Sequence, residues 1–125
     1  MAKFEHINIT VSDLDKTADM LCTIFNWKIR WQGPSIHNGR TAHIGDDDEY
    51  IAIYAKDTPA PNPMNNYETA NGLNHIGILV SDFEETEARI KDYGFETYSH
   101  QVYDPGRRFY FRDDDGIEYE VLSYT

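Results

Sequence analysis

One cysteine, Cys22, is all that 125 residues contain, which excludes an intrachain disulfide framework and fits a reducing compartment. Cytoplasm is the expected location. Basic residues are scarce: 11 Lys and Arg stand against 22 Asp and Glu, for a net charge of −11 and a pI near 4.6. Such a surface repels phosphate backbones and anionic headgroups, so neither nucleic acid nor a membrane surface is expected as a partner. No apolar run approaches the roughly 18 residues of a spanning helix. The opening MAKFEHINITVSD also lacks the basic-then-apolar layout of an export signal. What is present is 40% hydrophobic and 14% aromatic content, enough for a core in a single compact domain.

The sequence matches itself. Residues 4–14, FEHINITVSDL, lie over residues 73–83, LNHIGILVSDF, at an offset of 69, which pairs His6 with His75. At an offset of 68, Phe25-Asn26-Trp27 lies over Tyr93-Gly94-Phe95, and Asp46-Asp47-Asp48 over Asp114-Asp115-Gly116. Three matches in the same order indicate a duplicated module.

Each copy reads β-α-β-β-β. Phe4, His6, Asn8 and Thr10 alternate with Ile7, Ile9 and Val11, the period of a strand. Ser12 or Asp13 then caps a helix over Leu14 to Phe25, with Leu14, Ala18, Leu21 and Phe25 on one face. In the second copy, Ser81 or Asp82 caps a helix that runs from Phe83 and stops before Gly94. The spacing predicts strands over Lys28–Gln32, Thr41–Ile44 and Tyr50–Tyr54, and over Glu96–His100, Arg108–Phe111 and Glu118–Leu122. The fold class is therefore α+β: two tandem βαβββ modules, 1–54 and 73–125, forming a cupped mixed sheet of eight strands and together one domain. The linker 55–72 holds three of the five prolines and lets the modules pair within a chain or between chains.

Equivalent positions on the first strand of each module place His6 and His75 where a pseudo-twofold axis would aim both at one point. Glu120, on the last strand of module two, adds a carboxylate. Two imidazoles and one carboxylate form a facial set suited to Fe(II) or Mn(II), with Ni(II) and Zn(II) also compatible. The alternative is that both histidines are ordinary half-buried strand residues, duplicated with the module. Subtracting the offset of 68 from Glu120 gives Ala52, which cannot ligate. Glu118 shares a strand face with Glu120.

Other candidates follow from position. Tyr110 lies on the strand preceding that of Glu120, where a phenol suits acid–base chemistry, or simply packs on the sheet. His100 reads as a proton shuttle or a loop histidine. Arg107 and Arg108, after Asp104-Pro105-Gly106, form a basic pair that binds an anionic substrate or sits in a solvated turn, with Arg108 the substrate-binding candidate. Trp31 and Phe109 line an aromatic substrate cleft or fill the core, as does Trp27.

The doubled pattern resembles the vicinal oxygen chelate superfamily. Its carriers are the [F/L]-x-H-I-x-I-x-V-S-D-[L/F]-like opening of both modules and FYFRDDDGIEYE at the close of the second. That superfamily includes glyoxalase I, extradiol dioxygenases, fosfomycin-resistance enzymes, methylmalonyl-CoA epimerase and bleomycin-binding proteins. The resemblance implies metal ligands at His6, His75 and Glu120, and a tyrosine at Tyr110. Glyoxalase I carries a fourth ligand at the position of Ala52, a departure that turns the reading away from a lactoylglutathione lyase. The extradiol signature fits Phe109 to Gly116 and Glu120 except for Asp114 in place of proline, and His100 stands slightly too far from Phe109. Fosfomycin-type enzymes carry a basic residue after the ligand glutamate, which Val121-Leu122-Ser123 lacks.

The resemblance implies a metal-dependent enzyme that chelates adjacent oxygens of a small substrate, with dioxygenase-like chemistry favoured over isomerase or lyase chemistry. The alternatives are a non-enzymatic bleomycin-resistance-type binding protein, which the acidic charge suits, and a lactoylglutathione lyase or thiol transferase. A homodimer is expected, since short open sheets leave edges for a second copy to cover.

Overall fold

The computed structural model describes residues 1–57, 59–62, 65–103 and 106–125. Its elements are β1 (His6–Thr10), α1 (Leu14–Phe25), β2 (Lys28–Ser35), β3 (Gly39–Gly45), β4 (Tyr50–Ala55), β5 (Ile76–Leu79), α2 (Phe83–Tyr93), β6 (Tyr98–Tyr103), β7 (Gly106–Arg112) and β8 (Glu118–Ser123). A single 3-10 turn, Ile36–Asn38, joins β2 to β3. The architecture is α+β, two βαβββ modules. Each module closes its own four-stranded mixed sheet, in the orders β1-β4-β3-β2 and β5-β8-β7-β6. In each, the first and last strands run parallel and the remaining pairs antiparallel. The chain divides into compact units of Met1–Pro61 and Asn62–Thr125. Within the linker 55–72, Thr58, Pro63 and Met64 lie outside the described residues, as do Asp104 and Pro105 of the turn ahead of Arg107.

In the first unit α1 packs on β3 and β4. Its core is Leu14, Ala18, Leu21, Ile24 and Phe25 from the helix against Ala42, Ile44, Ile51 and Ile53 from the sheet, all buried. Asp13 is the N-cap, and its side chain accepts from Lys16 N at 3.1 Å. The helix ends at Asn26, in the left-handed region at φ 57°. In the second unit Gly94 does the same at φ 107°. The repeat match of Asn26 with Gly94 thus marks a shared stop signal, since these two residue types enter that region at least cost. Asp82 makes no side-chain cap bond and instead holds Arg89 at 2.8 Å.

Phe109, Phe111, Tyr119 and Val121 are almost wholly buried, and Phe83 of α2 meets Phe109 edge-on at 5.1 Å, so this is the helix-covered face of the second sheet. Alternation then assigns Arg108, Tyr110, Arg112, Glu118 and Glu120 to the opposite face. The same parity puts His6, Tyr50, Ala52 and His43 on the corresponding face of the first sheet, away from α1.

Both second strands carry a bulge. In β2 the pairing steps from Ile29↔Ile44 to Trp31↔His43, which makes Arg30 the extra residue. In β6 it steps from Tyr98↔Tyr110 to Gln101↔Arg108, and Ser99 takes φ 55° there.

Candidate functional site

Glu120 and His75 meet on the face of the second sheet away from α2. His75 Nε2 lies 3.0 Å from Glu120 Oε1, and the glutamate is 10% exposed at its side chain. Its other oxygen, Oε2, accepts from Arg108 at 2.8 Å. Tyr110, directly across from Glu120 in the ladder, stands edge-on to His75 with ring centres 5.7 Å apart. His75, Glu120, Arg108 and Tyr110 therefore form one constellation.

The histidine is oriented by its chain neighbour. His75 Nδ1 lies 2.6 Å from Asn74 Oδ1, so the ring donates there and turns Nε2 toward Glu120. The first module repeats the device. His6 Nδ1 lies 2.7 Å from Glu5 Oε1, and a carboxylate can only accept. For His6 the neutral ring therefore carries its proton on Nδ1 and keeps the Nε2 lone pair, the form that binds a metal, whereas His75 has an acceptor at each nitrogen and would bind an ion through Nε2 in place of the proton that Glu120 accepts. Glu5 also accepts from the Tyr50 hydroxyl at 3.0 Å, and these hydrogen bonds, from His6 first, hold its carboxyl below the usual range. Glu5 and Asn74 were not singled out from the sequence. Their signal was available, because the first repeat match lays one over the other.

A second carboxylate lies one pleat along. Glu118 accepts hydrogen bonds from the hydroxyls of Tyr67 and Tyr98, from Asn66 Nδ2 at 3.2 Å, and lies 3.7 Å from Arg112. Burial pushes its carboxyl up, but the bonds from Tyr67 and Tyr98, with Arg112 and Asn66, outweigh that and leave it lowered. The two phenols move the other way, each to about 12, Tyr67 chiefly through its bond to Glu118 and Tyr98 chiefly through burial. Asn66 also donates to Asn74 O at 2.5 Å, so the segment that carries Asn66 and Tyr67 is tied to the residue that orients His75. Nothing local in the sequence flags this, because the residues come from three separate stretches.

The first module presents aromatics at the matching positions. His43 lies opposite Ala52, the counterpart of Tyr110 opposite Glu120. Trp31 is half exposed and sits 5.3 Å from His43.

Three expectations require correction. His100 is not beside Glu120: it lies on the helix-covered side, its Nε2 2.6 Å from Glu87 of α2 and its ring stacked on Phe109 at 5.5 Å. The β6 bulge is the cause, because the extra residue hands the site-facing position opposite Arg108 to Gln101. Phe109 is likewise core, fully buried beneath α2, and cannot touch a substrate on the other face. Arg107 is also turned to the helix side, paired with Glu84 at 2.6 Å and lying over the Phe83 ring.

Among the described residues, no three His, Cys, Asp or Glu side chains cluster as a ready-made metal cage. His75 and Glu120 do fit a cation, since an imidazole nitrogen and a carboxylate oxygen converge on one point while Asn74 and Arg108 hold their outer atoms.

The chain is a duplicated βαβββ protein, with His6 on the first strand of one module, His75 just ahead of the first strand of the other, and Glu120 on the last strand. This chain belongs to the Glyoxalase/Bleomycin resistance protein/Dioxygenase superfamily, whose model matches residues 3–121. No curated protein matches it. Among solved structures it is similar to the glyoxylase/bleomycin resistance protein/dioxygenase domain from Frankia sp. EAN1pec, at 24% identity and TM-score 0.84, covering 100% of this chain and 99% of that one. It is also similar to the fosfomycin resistance protein FosX from Listeria monocytogenes complexed with Mn(II) and sulfate, at 24% identity and TM-score 0.73, covering 100% and 94%. FosX from Mesorhizobium loti matches at 20% identity and TM-score 0.71, covering 100% and 94%. At these identities the likeness is one of fold.

Proposed function

We propose that this protein is a metal-dependent enzyme acting on a small substrate with two adjacent oxygens, with His6, His75 and Glu120 as the protein ligands. The observation that carries the reading is the convergence of His75 Nε2 and Glu120 Oε1 at 3.0 Å, with His75 and His6 held through Nδ1 in the same way. His6 would come from the same chain or from a second copy in a homodimer. A divalent ion held there would supply Lewis-acid polarisation of the two substrate oxygens.

The chain's own residues do the rest. Arg108 occupies Glu120 Oε2, which leaves Oε1 as the ligating atom and sets its direction. Asn74 and Glu5 fix the orientation of the two imidazoles. The Tyr110 phenol, beside His75, is the group placed to give a hydrogen bond or a proton to a substrate oxygen. Trp31 supplies an exposed aromatic wall in module one. His100, the histidine considered for ring-cleaving chemistry, lies on the other side of the second sheet. Lewis-acid chemistry of the isomerase, lyase or addition type is therefore the better reading. Mn(II) in the Listeria FosX structure supports a divalent ion.

Elemental analysis of protein purified without chelator tests this. About one equivalent of transition metal per chain is expected, falling below a tenth in His75→Ala. Less than a tenth in the unmodified protein would refute the proposal.

A further inference from the structure

The first module holds a second imidazole that the ligand set His6, His75 and Glu120 does not use. His6, on β1, and His43, on β3, belong to the same face of the sheet, with β4 between them. Both rings are stacked with the Tyr50 ring, at 4.9 and 4.6 Å between centres, and they lie 6.3 Å from each other with planes 16° apart. A sandwich with one imidazole on each side of the phenol would separate them by two stacking layers, roughly 7 Å. At 6.3 Å the two imidazoles are closer than that, and with the phenol they form one ring cluster on this face. Arg30, the extra residue of the β2 bulge, has its guanidinium 4.7 Å from the centre of the Tyr50 ring and helps hold that phenol in place.

The spacing has a chemical meaning. With metal–nitrogen distances of about 2.0–2.1 Å, the ring centres of two imidazoles on one ion lie about 5 Å apart at a tetrahedral angle and about 6.4 Å apart on opposite sides of it, a range that includes the separation of His6 and His43. Ala52, directly opposite His43 in the ladder and 1% exposed, places only a methyl group where the equivalent position of module two carries Glu120. The first module thus loses a carboxylate at Ala52 and gains an imidazole one strand away.

We propose that His43 is a further metal ligand, joining His6 on one divalent ion and supplying from β3 the donor that Ala52 does not. The proposal rests on the reading of His6 as a ligand. A third imidazole beside His6 and His75 shifts the preference of the site from hard, oxygen-seeking ions toward the borderline ions Zn(II), Ni(II) and Fe(II).

The test is a Zn(II) titration of the full-length protein, followed through the 15N resonances of the histidine ring nitrogens. Expected is a change at His6 and His43 together, saturating at one ion per chain. His43→Phe keeps an aromatic ring against Tyr50 without a lone pair, and it should bind Zn(II) at least tenfold more weakly while its far-ultraviolet circular dichroism is unchanged. His43→Ala serves if the phenyl ring does not fit. If His6 and His75 respond while His43 stays at its metal-free resonances, and His43→Phe binds normally, this proposal is overturned and the ligand set of the preceding section stands. No response from any histidine overturns both.

Discussion

At the residue scale, one pair of carboxylates on one strand face divides its work by environment. Glu120 meets an imidazole and a guanidinium, while Glu118 meets two phenols, an amide and a more distant guanidinium. A group whose ionised form is disfavoured by folding keeps more protons folded than unfolded, so stability falls with rising pH between the two pKa values. Tyr67 and Tyr98, raised from the ordinary value of 10.0 to about 12, therefore contribute stability that is complete below pH 10 and is lost between about pH 10 and 12. Glu118, lowered by the same bonds, contributes above its ordinary 4.5 and loses that contribution as the pH falls. Ultraviolet titration should show Tyr67 and Tyr98 ionising well above the ordinary value of 10.0, and both returning toward it in Glu118→Ala. Glu118→Ala removes the acceptor of two phenols and should cost about 2–3 kcal/mol in urea unfolding. A loss under 0.5 kcal/mol, on the order of a neutral surface change, would show that the cluster does not hold. From sequence, His6, His75, Glu120 and Ala52 were legible because duplication puts them at fixed offsets. Glu118's partners were not, since side chains from residues 66, 67, 98 and 112 converge only through folding.

At the element scale, the helices and their stops follow from local chemistry. The expected span of Leu14 to Phe25 is the observed α1, and α2 runs from Phe83 to the residue before Gly94. Either Ser12 or Asp13 fitted the cap position, and the structure selects Asp13 through its bond to Lys16 N. Asp13→Ala should destabilise the protein by about 1 kcal/mol, read as a lowered urea midpoint at constant slope. An unchanged midpoint would assign the helix start to packing alone. Strands were less predictable. The segment expected over Glu96–His100 is found at Tyr98–Tyr103. Its bulge cannot be read from period-2 patterning, because an extra residue reverses the parity of everything beyond it. That single insertion separates Tyr98, on the face of Glu120, from His100 on the other.

At the scale of the whole molecule, each sheet has two edge strands, β1 and β2 in one, β5 and β6 in the other. Leu79 on β5 and Val102 on β6 are 63% and 85% exposed. Unpaired edges that carry apolar side chains invite pairing with another chain. Light scattering should give twice the chain mass of 14.5 kDa at micromolar concentration, and a mass of one chain would exclude the homodimer. The net charge of −11 keeps such an assembly soluble and favours the approach of cations over anions.

The sequence alone determined the duplication, the βαβββ order, the helix stops and the metal-ligand candidates His6, His75 and Glu120, because each depends on local pattern or on a fixed offset. Only the tertiary structure decided which side chains share a face beyond a bulge, that Arg108 and Asn74 hold Glu120 and His75, and that His43 lies 6.3 Å from His6. Those facts depend on strand register and on the lean of side chains across a sheet, and neither leaves a periodic trace in a linear chain.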